Sequence, residues 1–208
     1  VPVDQWIIEV DQVLRTLTGV HSARRSTPQS QIVGDEQLSQ DEIKHAAGLM
    51  RVNHVGEICA QALYQAQRLT STTVPLKEKL YQAAKEEEDH LRWCAQRLEE
   101  LGSRPSLLNP IWYAGSFAMG LVAGLAGDEW SLGFVAETEK QVEEHLQHHL
   151  STLPLADDAS RAIVEQMRQE EMAHGQMARD FGAKELPPLI QSTMRRVSGL
   201  MTKIAYSI

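Results

Sequence analysis

Cysteine is nearly absent from this chain: Cys59 and Cys94 are the two in 208 residues. Two are too few for a disulfide framework, and each falls inside a helical pattern, so both are expected reduced and buried in a cytoplasmic compartment. Proline and glycine are modest at 8 and 13 residues, which excludes collagen-like and linker-rich chains. Alternating runs of β-branched and aromatic residues bounded by turn dipeptides are scarce, so little sheet is expected. A basic excess is missing as well. The 28 acidic side chains outnumber the 20 basic ones, for a net charge of -8, which argues against a phosphate-neutralising surface, and no nucleic-acid partner is expected. Residues 1–20 carry Asp4, Glu9 and Asp11 among apolar positions and lack the basic start and unbroken apolar run of a secretory signal. Without a Gly-x-Gly-x-x-Gly strand-to-helix element, the chain has no dinucleotide-binding domain of its own.

What is present is 3.6-residue periodicity along most of the length. With 42% hydrophobic and 23% charged residues, it predicts a single all-α protein large enough for one substantial core. A short helix is expected over 3–17, then a loose polar connection over 21–34 containing Arg24, Arg25, Ser26, Pro28 and Ser30. Ser39 with Glu42 reads as a capping box opening a helix that runs to Thr70. The polar run Ser71, Thr72, Thr73 breaks the chain, and Pro75 suits the first turn of the next helix, which stops near Leu101 and Gly102. These two helices form one hairpin. After Pro105 and Pro110, residues 111–127 carry no charged side chain. A helix over 128–150 follows, Pro154 interrupts, and Asp157 or Asp158 caps a helix that Gly182 ends, giving a second hairpin. Pro187 and Pro188 introduce a last helical stretch to Ile208. Residues 1–38 are thus read as an N-terminal helix and connection, and 39–208 as the bundle domain.

Each long helix has a seam of apolar residues in steps of three and four, and each seam is interrupted by acid. The seams read Ile43, Ala46, Met50, Asn53, Glu57, Ala60, Tyr64; then Leu80, Ala83, Glu87, His90, Cys94; then Leu132, Val135, Glu139, Val142, Leu146; then Val164, Met167, Glu171, His174, Ala178, Phe181. Four carboxylates converging inside a bundle repel one another unless something positive sits between them. Four glutamates and two histidines match two divalent ions, and mixed oxygen and nitrogen donors suit iron or manganese. Residues i and i+3 share a helix face, so Glu87 with His90 and Glu171 with His174 can each serve one ion. Glu57 and Glu139 then bridge or complete the pair.

Depth along the hairpins agrees. Glu57 and Glu87 each lie about fifteen residues from the first turn, roughly 22 Å along a helix. Glu139 and Glu171 lie at a similar depth from the second turn. Glu143 is about 6 Å out of level, which favours Glu139 over Glu143 and Glu137. Behind these ligands His54, His145 and Arg51 are candidates for supporting hydrogen bonds, and no catalytic residue beyond the metal ligands is identified. His148 and His149, with His145, otherwise read as surface groups, and Glu86, Glu88, Asp89 and Glu170 as solvated helix faces.

One Glu on each of two helices and Glu-x-x-His on each of the other two is the ferritin-like pattern of carboxylate di-metal proteins. It supports iron storage, peroxide removal or oxygen activation. The surroundings discriminate among these. The stretch 111–127 is about 25 Å as a helix, short of the roughly 30 Å of a bilayer's hydrocarbon. It reads either as a helix lying on a membrane surface or as a buried core helix. Residues 189–208, with Met194, Val197, Leu200, Met201, Ile204, Tyr206 and Ile208 beside Arg195, Arg196 and Lys203, read as similarly interfacial. A lipid-soluble substrate accounts for both.

The string Arg51-Val52-Asn53-His54-Val55-Gly56-Glu57, the Glu87-Glu88-Asp89-His90 on the next helix, the apolar linker after Pro110 and Glu171-Met172-Ala173-His174 resemble the demethoxyubiquinone hydroxylases of ubiquinone biosynthesis. The resemblance covers roughly residues 40–208. It implies a ferritin-like antiparallel four-helix bundle, with an apolar linker helix between the hairpins and an extra C-terminal helix. It further implies an O2-dependent di-iron monooxygenase that hydroxylates the unsubstituted ring carbon of a polyprenyl demethoxybenzoquinone or quinol. By motif, the resemblance assigns the two Fe ions to Glu57, Glu87, His90, Glu139, Glu171 and His174. Electrons come from NADH or a partner reductase. The location implied is the cytoplasmic face of the inner cell membrane, as a peripheral protein, with other ubiquinone-biosynthesis proteins as partners and homo-oligomerisation open. The rival reading is a ferritin-like iron-storage or peroxide-scavenging protein.

Overall fold

Ser39 and Glu42 cap each other: the Ser39 N–H donates to the Glu42 carboxylate at 2.8 Å, and the Glu42 N–H is turned to the Ser39 hydroxyl. From this cap, in a computed structural model that describes residues 3–20, 25–28 and 38–208, the first long helix of a bundle runs out. The described residues form α1 (Val3–Thr18), α2 (Gln40–Thr70), α3 (Val74–Glu100), α4 (Asn109–Leu125), α5 (Asp128–Thr152), α6 (Asp158–Asp180) and α7 (Pro188–Ser207), with no strand among them. The connection expected over 21–34 lies outside the described residues except for 25–28. Helices α2 and α3 make one hairpin and α5 and α6 the other, with α4 between them in sequence and packed along α2. Together these are the expected antiparallel bundle with a linker helix and a C-terminal helix.

The bundle core has two apolar ends. Met50, Trp93, Cys94, Leu98, Leu146, Ile163, Val164 and Met167 pack at one. Tyr64, Leu80, Ala83, Leu132, Val135 and Ala178 pack at the other. On every one of the four helices the seam Glu falls between these two clusters, with its His on α3 and α6, so the polar residues lie inside the bundle and not at its rim.

Asp157 settles which aspartate caps α6. Its Oδ1 accepts from the Ser160 N–H and from the Arg97 guanidinium, both at 2.9 Å, while Arg97 Nε donates to the Ser160 hydroxyl at 3.0 Å. This cap joins α3 to α6 where both partners are buried. Asp157→Ala removes the cap and the buried carboxylate partner of Arg97, which keeps Glu100 at 3.0 Å, so a loss of about 2–3 kcal/mol is expected in denaturant unfolding.

Helix α4 approaches α2 closely because Gly120 and Gly124 face it. A Cβ at Gly120 would sit 2.9 Å from the Ala66 Cβ and 3.0 Å from the Leu63 carbonyl, and one at Gly124 would overlap the Thr70 side chain. The uncharged stretch is thus not a wholly buried core helix: one of its faces packs on α2 and the other is open. Tyr113, Ser116, Gly120 and Gly124 are buried, while Ile111, Met119, Val122 and Leu125 are exposed, the last two to 72% and 78%. In α7 only Ala205 is buried, against Val52 and Val55, and Leu189, Val197 and Leu200 are exposed. No helix of the described residues is long and apolar enough to cross a membrane. Helix α1 docks on α2 through Glu9, which accepts from Gln65 Nε2 at 2.6 Å and from Arg68 Nη2 at 2.7 Å.

Candidate metal centre

The apolar seams place the acids and imidazoles face to face, and the histidine rings settle which atoms meet. His90 turns Nδ1 inward, 2.9 Å from Glu87 Oε2, 3.4 Å from Glu171 Oε1 and 3.7 Å from Glu57 Oε2. His174 does the same, with Nδ1 3.0 Å from Glu87 Oε1 and 3.3 Å from Glu171 Oε2. Glu139 enters from α5 and accepts a 2.5 Å hydrogen bond from the Tyr64 hydroxyl. Two overlapping donor groups result: Glu57, Glu87, His90 and Glu171, and Glu87, Glu139, Glu171 and His174, all buried, with the donor atoms of each group within 4.8 Å of one another. Glu87 and Glu171 belong to both groups and Glu57 and Glu139 to one each. The six residues singled out from the seams are thus brought together. Glu143 instead faces Arg168 at 3.3 Å and Glu137 accepts from Gln141.

The electrostatics match sites made for cations. Burial, and then the charge of Glu87, pushes the Glu57 carboxyl well above its ordinary range; burial with Glu171 and Glu87 does the same to Glu139. For Glu87 burial is outweighed by the charge and hydrogen bonds of His90 and His174, which hold it low. Both imidazoles are raised well above the usual range, since their carboxylate neighbours outweigh burial. Burial and Glu139 also keep the Tyr64 phenol protonated, so it donates. A cluster that holds on to protons this strongly has room for other positive charge.

A second layer corrects the expectation that Asp89 and Glu170 sit on solvated faces, while Glu86, half-exposed as expected, still reaches a histidine. His90 Nε2 meets Glu170 Oε2 at 2.6 Å, and His174 Nε2 meets Glu86 Oε2 at 2.8 Å. Each histidine is therefore backed by the acid that precedes the Glu-x-x-His of the opposite helix. Asp89 is buried and receives Arg25 Nε at 2.7 Å. The available signal was a shared Glu-Glu-x-x-His, Glu86 to His90 and Glu170 to His174. Glu88 pairs with Lys85 at 2.5 Å.

The candidates for supporting bonds lie mostly elsewhere. Arg51 clamps the chain ends of neighbouring helices, donating to the carbonyls of Arg104 and Tyr206 and to the Ser103 hydroxyl. His145 packs against His149, with ring centroids 4.0 Å apart. Burial and His148 push His145 down to about 4, and burial with three neighbouring histidines pushes His149 down to about 2. His149 is thus buried and neutral, where a surface or supporting position was expected. His54 is buried on α2 one turn from Glu57 and belongs to neither donor group. Between α5 and α6 a cleft of about 480 Å³, lined by Glu139, Glu171, Met172, Gln176 and Arg179 among others, opens one side of the centre to the surface.

An antiparallel bundle whose core carries two overlapping carboxylate and imidazole donor groups defines a ferritin-like protein with buried groups that could hold metal. In structure the chain is similar to a dodecameric thioferritin, the bacterioferritin-related protein of Bacteroides fragilis. Their TM-score is 0.53 at 18% identity, over 67% of this chain and 84% of that one. Residues 37–205 match the family described as ubiquinone biosynthesis protein COQ7, and the chain belongs to that family. It is 56% identical, over 100% of its length and 99% of the relative, to the 3-demethoxyubiquinol 3-hydroxylase of Polynucleobacter necessarius subsp. necessarius. It is 57% identical to that of Cupriavidus necator (99% and 100% covered) and 58% to that of Burkholderia pseudomallei (98% and 98%).

Proposed function

We propose that this chain is an O2-dependent di-iron monooxygenase that hydroxylates the ring of a polyprenyl demethoxybenzoquinol in ubiquinone biosynthesis. The observation that carries this reading is the pair of donor groups sharing Glu87 and Glu171, inside a chain that covers its hydroxylase relatives almost end to end. The donor set fits iron: carboxylate oxygens with one imidazole Nδ1 per group, and no thiolate. Glu87 and Glu171 would serve both metal positions, with Glu57 and His90 completing one and Glu139 and His174 the other. Iron held by these residues would supply the O2-activating redox chemistry that ring hydroxylation requires.

The chain's own residues do the rest. Glu170 and Glu86 accept from Nε2 of the two histidines and so keep each Nδ1 lone pair facing inward. Tyr64 holds Glu139 by one oxygen, leaving the other for a metal. The apolar clusters close the two ends of the centre along the bundle axis against bulk water, leaving the cleft between α5 and α6 as its opening. NADH or a partner reductase supplies the electrons, since the chain carries no dinucleotide-binding element. The exposed apolar faces of α4 and α7, with Arg195, Arg196 and Lys203 on α7, rest on an anionic membrane surface from which a polyprenyl substrate is drawn. We assign that surface to the cytoplasmic side of the inner membrane.

Two measurements test this. Iron is loaded anaerobically, the demethoxyquinol and O2 are added, and the extracted quinone is weighed by mass spectrometry. A product one oxygen atom heavier is expected; about two irons bound with no such product rejects the substrate. In flotation with anionic vesicles the chain rises with the lipid, and the double variant Val122→Asp, Leu125→Asp falls about tenfold in bound fraction. A soluble multi-subunit iron-loaded particle that ignores the vesicles would favour iron storage.

A further inference from the structure

Arg25 stands apart from the four bundle helices and outside the residues the family match covers. It belongs to the short described segment 25–28, which Thr27 ties to α3 by a 2.9 Å hydrogen bond from its hydroxyl to Gln96 Oε1. The Arg25 guanidinium grips Glu170 with both terminal nitrogens, at 2.5 and 2.9 Å, and donates from Nε to Asp89 at 2.7 Å. Its Cζ lies 4.8 Å from the Trp93 ring centroid, and Trp93 in turn packs against the His90 ring at 5.4 Å. Two parallel N–H···O bonds fix the plane of a carboxylate as a single contact cannot. Glu170, further held by Gln166 at 2.5 Å, offers its Oε2 to His90 Nε2 at 2.6 Å.

The opposite half of the centre has no such support. Glu86 backs His174 in the same way, but its side chain is 49% exposed, and no arginine or lysine pairs with it among the described residues. The two halves are alike in donor types and in having an acid behind each imidazole; the His174 half has Tyr64 on its Glu139, and the His90 half alone has a guanidinium on the acid behind its imidazole among the described residues.

We propose that Arg25 is a positioning residue for the His90 half of the centre: by clamping Glu170 it fixes the His90 ring with Nδ1 presented to the metal, and so makes that half the tighter of the two metal positions. The inference rests on the metal-centre reading above. Losing an outer partner of a ligating histidine costs about 10–100-fold in metal affinity, and Arg25 acts one bond further out, so about tenfold is expected.

The test is an anaerobic Fe(II) titration of the full chain, read as iron bound per chain and by Mössbauer spectroscopy. Thermal unfolding of each metal-free variant is measured alongside. The wild type is expected to fill in two resolved steps with unequal environments. Arg25→Gln weakens the tighter step about tenfold and leaves the weaker one unchanged, so the steps merge. Arg25→Lys, which restores charge without the two-pronged grip, recovers only part of the loss. Glu170→Gln keeps Thr27 and Asp89 in place as anchors of the segment and gives the same selective loss, which keeps the test decisive should Arg25→Gln fold poorly. A purely structural role would lower the unfolding temperature and shift both steps together; that result, or steps within twofold of wild type in both Arg25→Gln and Glu170→Gln, overturns the inference alone. A wild-type chain that binds no iron overturns the metal-centre reading with it.

Discussion

Glu87→Ala is expected to abolish hydroxylation, with turnover down by about a thousandfold or more, equivalent to roughly 4 kcal/mol of lost transition-state stabilisation, and bound iron reduced from two per chain to one or none. Glu87 belongs to both donor groups and is the nearest carboxylate to Nδ1 of both histidines, at 2.9 and 3.0 Å. Removing it takes a ligand from both positions and leaves an imidazole pair facing a hole. Glu171→Ala acts alike, because Glu171 is the other shared carboxylate. Glu57→Ala and Glu139→Ala each take a carboxylate from one group and, on the proposed di-iron reading, are expected to leave chains holding about one iron with turnover lost. Glu88→Ala, one residue along from Glu87 and paired with Lys85 outside both groups, should retain iron and turnover within about twofold. Iron analysis and turnover on this set separate a shared centre from two independent sites.

The second large effect is on stability. A ligand at a thousand times its Kd stabilises the folded chain by about 4 kcal/mol, so chelating two ions is expected to lower Tm by about 10 °C or more for a chain of this size. The pH dependence has a definite sign. The pKa values of His90 and His174 are raised on folding, so without metal their contribution is present below their ordinary value near 6.5 and is lost as pH rises through the raised values. Glu57 and Glu139 are also raised, so folding favours their neutral forms and stability falls as pH climbs above 4.5 toward the raised values. Glu87 runs the other way: held low, it contributes above 4.5 and that contribution is lost as pH falls through its depressed value. The chelated chain should therefore be more stable near pH 5.5 than at pH 8. Metal must displace protons from His90, His174, Glu57 and Glu139, so the gain in Tm on adding metal should rise with pH and its binding should release protons. Calorimetric scans with and without chelator at the two pH values, and binding heats in buffers of different ionisation enthalpy, measure both.

The helices and the inner ring of buried acids and imidazoles were legible because both follow one period. Steps of three and four carry Leu80 and Ala83 into the core, and the same steps carry Glu87 and His90 there, so burial of the acids could be inferred without a contact in hand. The choice of Glu139 over Glu143 rested on a further regularity, the rise per residue along matched hairpins. The second layer escaped because Glu86 and Glu170 sit one residue, about 100° of helix, off their seams, where the period assigns them to solvent. What holds them near the core is the imidazole edge of the opposite helix, a relation between residues 80 and 88 positions apart. Arg25 is further out of reach: it comes from a connection without periodicity and meets its partners across 64 and 145 residues. Helix α4 was ambiguous because a charge-free sequence does not show which side faces α2. Gly120 and Gly124, small enough to let Leu63, Ala66 and Thr70 approach, determine it.

A single turnover under isotopically labelled O2 tests the central claim most directly. With iron-loaded chain, reduced demethoxyquinol and labelled O2, the account predicts that the new ring hydroxyl carries one labelled oxygen and that Glu87→Ala yields no hydroxylated product. Product bearing unlabelled oxygen from water, or formed equally by Glu87→Ala, would contradict it.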